Sequence, residues 1–195
     1  MPHIVLASGS PRRQELLRRI GISDFAVVVP DADERVPEGL SPRETVERIA
    51  RAKAEAARAL TAADDIVITA DTMVFFGGER LGKPRDEADA LRMLGELSGQ
   101  RHTVCTGVTV RQGDRLECFT VSTDVYFRAV SERELRAYVA SGEPMDKAGA
   151  YGIQGLGSLL VERIDGDFFN VMGLPLLPLY RALRGFGVEL LGSPE

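Results

Sequence analysis

Residues 6–17 read LASGSPRRQELL. The apolar run Ile4–Ala7 leads into Ser8-Gly9-Ser10-Pro11, two arginines follow, and Leu16, Leu17 and Ile20 then recur at helical spacing until Gly21. That order spells a buried strand, a glycine turn and a helix start. Ser10 suits the N-cap, and Pro11 suits the first helical position, where a missing N–H costs nothing. A strand fed through such a turn into a helix opens an α/β fold. Arg12 and Arg13 pose a question, because the positive end of the helix dipole disfavours cations unless an anion sits between. Two readings fit. The arginines are solvated on a capped surface helix, or Ser8, Ser10, Arg12, Arg13 and the turn amides bind an anion such as phosphate. The spacing is not that of a P-loop, which needs GxxxxGK[ST].

Outward from this stretch, strand and helix signals alternate. Phe25–Val29 reads as a second strand, and Ser41-Pro42-Arg43-Glu44 is a capping box whose helix runs to about Leu60. Asp65–Asp71 reads as a strand ending in polar residues, followed by a Met73–Gly82 hairpin with a Gly-Gly turn. A helix opens at Asp86 and runs to about Leu97; two long β segments, His102–Arg111 and Leu116–Arg128, follow. Ser131 and Glu134 form a second capping box, whose helix stops at Gly142. The stretch EPMDKAGAYGIQGLG after it suits neither helix nor strand. A last hairpin is expected to turn at Asp165-Gly166, and a closing helix to follow Gly173–Pro175. Hairpins and helical crossovers together give an α/β chain with a mixed sheet and flanking helices.

The totals narrow the function classes. The chain has 195 residues, 44% of them hydrophobic and 27% charged, an ordinary globular composition. That length suits one large domain or two small lobes. No apolar run approaches the ~20 residues that span a membrane. In MPHIVLASGSPRR the charges follow the apolar run, the reverse of a signal peptide, so a cytoplasmic protein is expected. A net charge of −5 argues against a nucleic-acid binder while leaving room for a local basic pocket. Cys105 and Cys118 lack metal-ligand spacing and read as buried free thiols, and with only two histidines no zinc site is expected.

Several polar residues stand where chemistry is done. Lys53 falls on the apolar stripe of the second helix, with Val46, Ile49, Ala50, Ala57 and Leu60; it either snorkels or points its charge into a cleft. In TADT, Asp71 and Thr72 lie at the expected end of a buried strand, where α/β sheets bind ligands. Asp71 there can hold a divalent metal, take a proton from water, or make an Asx turn. Lys83 sits in a Gly-Lys-Pro loop stiffened by its proline. The acidic run Asp31–Glu34 is a Mg²⁺ or Mn²⁺ neighbourhood or a solvated loop. In DKAGAYGIQG, Lys147 and Gln154 lie among glycines that let backbone approach a ligand; Gln154 offers both donor and acceptor, as base reading requires, and Tyr151 either stacks on a base or fills the core. Cations, carboxylates and one amide at strand ends and glycine turns are what a metal-assisted nucleoside triphosphate site needs.

LASGSPRRQELL, ADT, GKP, LSGQRHTVCTGV, YVASGEPMDKAGAYGIQGLG and GLPL, in this order, resemble the Maf-like nucleotide pyrophosphatases from Ile4 to about Leu183. The resemblance implies an elongated α/β fold, related to the inosine-triphosphate pyrophosphatases, with two lobes around a cleft that cannot be separated in sequence. It also implies a homodimer, a divalent cation, and hydrolysis of nucleoside triphosphates to monophosphate and pyrophosphate. KAGAYGIQG resembles the branch preferring dTTP and UTP; the sister branch, acting on 7-methyl-GTP, carries Glu at the position of Gln154. By the same resemblance Asp71 is the proton acceptor. Arg12, Thr72 and Gln154 set specificity, and Ser8, Arg13, Glu34, Lys53 and Lys83 serve phosphate, metal or catalysis. Asp71 and Glu34 are then the metal ligands, with Arg13 mainly holding phosphate. Met73 in ADTMV and the segment DGDFFNVMGLP depart from the family pattern without touching these groups. The rival expectation is a nucleotide-sensing regulator of cell division and septum formation with little turnover.

Overall fold

The computed structural model describes residues 3–37 and 39–192; Met1 and Pro2, the start of the segment read above against a signal peptide, lie outside them. Strands β1 (Ile4–Ala7), β2 (Ala26–Val28), β3 (Ile66–Phe76), β4 (Glu79–Leu81), β5 (Arg101–Gln112), β6 (Arg115–Phe127) and β7 (Val161–Asp165) form one mixed sheet. Its order is β2-β1-β3-β5-β6-β7, with β4 paired to β3. The helices are α1 (Pro11–Arg19), α2 (Pro42–Ala56), α3 (Glu87–Leu97), α4 (Glu132–Ala140), α5 (Phe168–Met172) and α6 (Leu176–Gly185). No helix among the described residues is long and apolar enough to cross a membrane.

The chain forms two compact units. The first comprises Met1–Asp71, Thr106–Val121 and Gly173–Glu195. Here β1 pairs in parallel with β2 (Leu6 opposite Val27) and with β3 (Leu6 opposite Ile68). Parallel pairing requires crossovers, which α1 and α2 supply. All four residues of β1 are buried, as expected of a strand covered on both faces. Helix α2 starts at a complete capping box, Ser41 with Glu44. It buries Val46, Ile49, Ala50 and Ala54. Gly107 of β5 admits this helix at backbone distance: a Cβ there would lie 2.5 Å from the Val46 carbonyl oxygen.

The second unit comprises Thr72–Cys105 and Ser122–Met172. Its core joins Val74, Leu81, Met93, Leu94, Leu97, Val125, Phe127, Leu135, Tyr138, Val139, Tyr151 and Leu160. Asp86 and Ser131 cap α3 and α4 through their side chains.

Four expectations are revised. Asp71 does not end a strand, because β3 runs unbroken for 11 residues and places Asp71 and Thr72 inside it. Ser10 occupies the N-cap position, yet its side chain makes no capping bond; its N–H donates to Ser8 Oγ at 3.3 Å instead. No second strand follows Asp165-Gly166. Asp167 Oδ1 accepts from the N–H of Phe169 and of Asn170, starting α5, while the buried Asn170 side chain donates to Val104 O and Thr123 Oγ1. The helix expected to reach Leu60 is α2 to Ala56 with a 3-10 turn over Ala57–Leu60. Both cysteines are free, with Cys105 buried and Cys118 half-buried.

Candidate active site

The chemistry-bearing groups of the first unit gather around Asp71. The parallel register sets Leu6 against Ile68, and β1 ends at Ala7 while β3 continues. Asp71 therefore stands level with the turn that follows β1, beyond that strand's carboxyl end, where α/β sheets take ligands. Lys53 reaches it from α2, one turn beyond Ile49 on the buried stripe. Its stem lies along the apolar face, and its Nζ lies 2.7 Å from Asp71 Oδ1 and 3.1 Å from Glu34 Oε1. The Lys53 and Asp71 side chains are only 17% and 10% exposed, so this pair is far less screened than a surface ion pair.

Of the acidic run 31–34, only Glu34 joins this group. Asp33 accepts from Arg35 Nε at 2.8 Å and Nη2 at 2.6 Å, and this fork holds its carboxyl down to about 2. Asp31 is exposed.

The opening motif meets the same neighbourhood. Arg13 Nη1 donates to Ser8 Oγ at 3.0 Å, and its Nε donates to the Gly173 carbonyl at 2.8 Å. Burial lowers the Arg13 pKa, opposed mainly by the charge of Asp71, with Arg12 and Glu34 also felt. Arg13 thus shares a field with two carboxylates, which answers the dipole question in part: the anions that offset it are partly the protein's own. The Gly173 carbonyl was not found by sequence reasoning. It carries no side-chain signal and lies 160 residues from Arg13, although its GLPL segment stood among the motifs.

A divalent ion fits the donor set. Asp71 Oδ2 is buried with no hydrogen-bond partner. Glu34 supplies a second, more exposed carboxylate. Mg²⁺ and Mn²⁺ take hard oxygen donors, and Mg²⁺ in particular is held through one or two carboxylates completed by phosphate oxygens and water. Among the described residues no group of three or more His, Cys, Asp or Glu side chains is placed to hold a metal alone. In this structure the cation shared by the two carboxylates is the Lys53 ammonium.

The remaining candidates belong to the second unit. Thr72 is half-buried and follows Asp71 in β3. Lys83 is exposed in its loop, and that loop is tied to the glycine-rich segment by Gly149 N–H donating to Gly82 O at 3.0 Å. Lys147 is turned inward: its Nζ donates to Glu143 O at 2.5 Å and to Asp146 Oδ1 at 2.7 Å. Gln154 is half-buried just before the 3-10 turn Gly155–Leu159. Tyr151 is core: its hydroxyl lies 2.7 Å from His102 Nε2, and its ring meets Phe127 edge to face.

A mixed α/β sheet with a lysine-bridged carboxylate pair beside parallel strand ends places this chain among the α/β proteins whose polar groups gather beyond strand ends, where such sheets take ligands. Within that class, this chain belongs to the Maf family: the Maf-like protein model matches residues 3–186. It is 50% identical over 188 residues to a dTTP/UTP pyrophosphatase of Syntrophomonas wolfei, covering 95% of this chain and 98% of that one. It is also 50% identical to a dTTP/UTP pyrophosphatase of Vibrio cholerae, covering 94% and 97% of the two chains. A solved structure of the Staphylococcus aureus Ham1 protein is similar at a TM-score of 0.42 and 22% identity, covering 64% of this chain and 71% of that one.

Proposed function

We propose that this chain is a nucleoside triphosphate pyrophosphatase that hydrolyses dTTP and UTP to the monophosphate and pyrophosphate. Relatives of that name at 50% identity over nearly the full length support the substrate class. The observation that carries the chemistry is the two-sided environment of Asp71. Lys53 holds Oδ1, while Oδ2 is buried and unpartnered. A carboxylate so held is oriented and has one lone-pair face left for a water proton.

In this reading water oxygen attacks the α-phosphorus as its proton passes to Asp71 Oδ2. The bond from the α-phosphorus to the bridging oxygen breaks, and pyrophosphate leaves with that oxygen. Arg12, Arg13, Lys53 and Lys83 offset charge on the phosphates, with Ser8 and Ser10 donating from the glycine turn. Lys147 would have to leave its present partners, Glu143 O and Asp146 Oδ1, to join them. Thr72 and Gln154 are assigned to base selection. Asp71 and Glu34 would hold a divalent cation, Mg²⁺ or Mn²⁺, whose chemistry when bound is Lewis-acid polarisation of phosphate oxygens. A cytoplasmic homodimer is part of the same proposal.

The experiment is a pyrophosphate-release assay on dTTP, UTP, CTP and 7-methyl-GTP with Mg²⁺ or Mn²⁺. Preference for dTTP and UTP is expected. Faster turnover of 7-methyl-GTP would overturn the branch assignment, and tight binding of dTTP without turnover would favour the sensing role.

A further inference from the structure

Gln154 is delivered by a segment that has little regular structure of its own. Residues 143–159 make three short 3-10 turns, and Gly149 and Ala150 both take positive φ, +70° and +58°. Positive φ in alanine is a strained conformation that persists only where surrounding contacts fix it. A residue meant to read a base must be held to within a fraction of an ångström. Something must therefore fix this segment.

One carboxylate does so. Glu143 Oε1 accepts from Tyr138 Oη and from Gly157 N–H, both at 3.0 Å, and Glu143 Oε2 accepts from Leu156 N–H at 3.0 Å. Tyr138 Oη in turn accepts from Gly152 N–H at 3.1 Å. The Tyr138–Glu143 pair thus grips the backbone two residues before Gln154 and two and three residues after it. The glycines make this grip possible. A Cβ on Gly155 would lie 2.6 Å from Glu143 Oε2, and one on Gly157 would lie 2.2 Å from Gly152 O and 2.6 Å from Tyr138 Oη. The tyrosine is anchored in turn, because its ring belongs to the core of the second unit.

We propose that Glu143, acting with Tyr138, is a positioning residue for base selection: it fixes the backbone that presents Gln154 and so sets discrimination between pyrimidine triphosphates. This rests on the reading that Gln154 takes part in base selection. The site calls for a carboxylate in particular. It receives three donors, two N–H groups and one O–H, and an ionised carboxylate is acceptor-only. An amide of the same shape would turn an NH₂ toward at least one of those donors.

The test compares kcat and KM for dTTP and CTP in the wild type, Glu143→Gln, Tyr138→Phe, Gln154→Ala and the Glu143→Gln/Gln154→Ala double variant. It is accompanied by hydrogen exchange of the Gly152, Leu156 and Gly157 amides. Glu143→Gln is expected to lower the dTTP:CTP ratio of kcat/KM about tenfold or more, carried by KM, and to speed exchange of those amides at least tenfold. The double variant should discriminate no worse than Gln154→Ala, because both changes act through one side chain. Glu143→Asp, which keeps an acceptor-only group, should recover part of the ratio. If Gln154→Ala changes the ratio while Glu143→Gln does not, the positioning role is overturned and base reading by Gln154 survives. If Gln154→Ala leaves the ratio unchanged, base reading by Gln154 is overturned, and the positioning role with it. Should Glu143→Gln fail to fold, Tyr138→Phe decides: it removes the hydroxyl but keeps the ring, and an unchanged ratio there overturns the proposal.

Discussion

Lys53 Nζ holds one oxygen of Asp71 at 2.7 Å and leaves the other buried and unpaired. This asymmetry divides the carboxylate into an anchored side and a reactive side. Asp71→Asn keeps the shape but removes the basic oxygen. Turnover of dTTP is expected to fall by about 10³-fold, the middle of the range that a positioned general base contributes. Nucleotide affinity, measured by calorimetry, should stay within a few-fold of wild type. Near-normal turnover in the folded variant would remove Asp71 from the role of base.

Lys53→Met tests the other half of the pair. It leaves a nearly buried carboxylate without its counter-charge, a loss of roughly 3 kcal/mol of folding stability for a pair this poorly solvated. Urea unfolding at neutral pH should show that loss, with turnover depressed as well. A stability change below about 1 kcal/mol would mean the pair behaves like an exposed one.

Arg13 uses two faces of its fork, one on Ser8 Oγ and one on Gly173 O. Lysine carries the charge but cannot hold that pair in one plane. Arg13→Lys should therefore fail to rescue Arg13→Ala, in both turnover and thermal midpoint. Full rescue by lysine would show that only the charge matters.

Gly107→Ala probes the approach of α2 to β5. The new methyl would meet the Val46 carbonyl oxygen at 2.5 Å and Glu47 N at 2.9 Å, both backbone atoms that cannot swing aside. A destabilisation of about 2 kcal/mol or more is expected in chemical unfolding, at the upper part of the overpacking range. Because α2 also carries Lys53, turnover should fall together with stability.

His102 makes stability depend on pH. Burial lowers its pKa from 6.5 to about 4. Between those values the unfolded chain takes up a proton that the fold refuses. Its contribution is complete above pH 6.5, declines below it, and is lost as pH falls through about 4, a change of roughly 3 kcal/mol. Urea midpoints measured from pH 7.5 to 4 should fall more steeply for the wild type than for His102→Gln. Parallel declines would assign the acid sensitivity to other groups.

The fold was legible where local chemistry decides it. Ser41 with Glu44 and Ser131 with Glu134 form the capping boxes their spacing announces. The strand order was not legible, because pairing β1 between β2 and β3 depends on long-range contacts. Nor was the continuity of β3 through TADT, where polar residues look like a strand end. In the candidate site, Lys53 was ambiguous in sequence because helical spacing cannot tell snorkelling from an ion pair; Asp71 and Glu34, from distant segments, resolve it. Lys147 shows the reverse: a cation among glycines reads as a ligand group, yet its bonds are to Glu143 and Asp146. Glu143 stood inside the motif YVASGEPMDKAGAYGIQGLG without a role, because two of its partners are backbone amides, which leave no mark in the spacing of side chains.

The bond from Arg13 to the Gly173 carbonyl joins the first and last thirds of a ribosomal timetable rather than neighbours in a motif: Arg13 is made among the first residues, and its partner only 160 residues later. A loop that long closes slowly, and no local structure can close it early. The nascent chain therefore carries Ser8, Lys53 and Asp71 for most of its synthesis with the Arg13 clamp still open. The clamp can close only after Gly173 has been made, and a chain truncated before that residue lacks this hydrogen bond to Arg13.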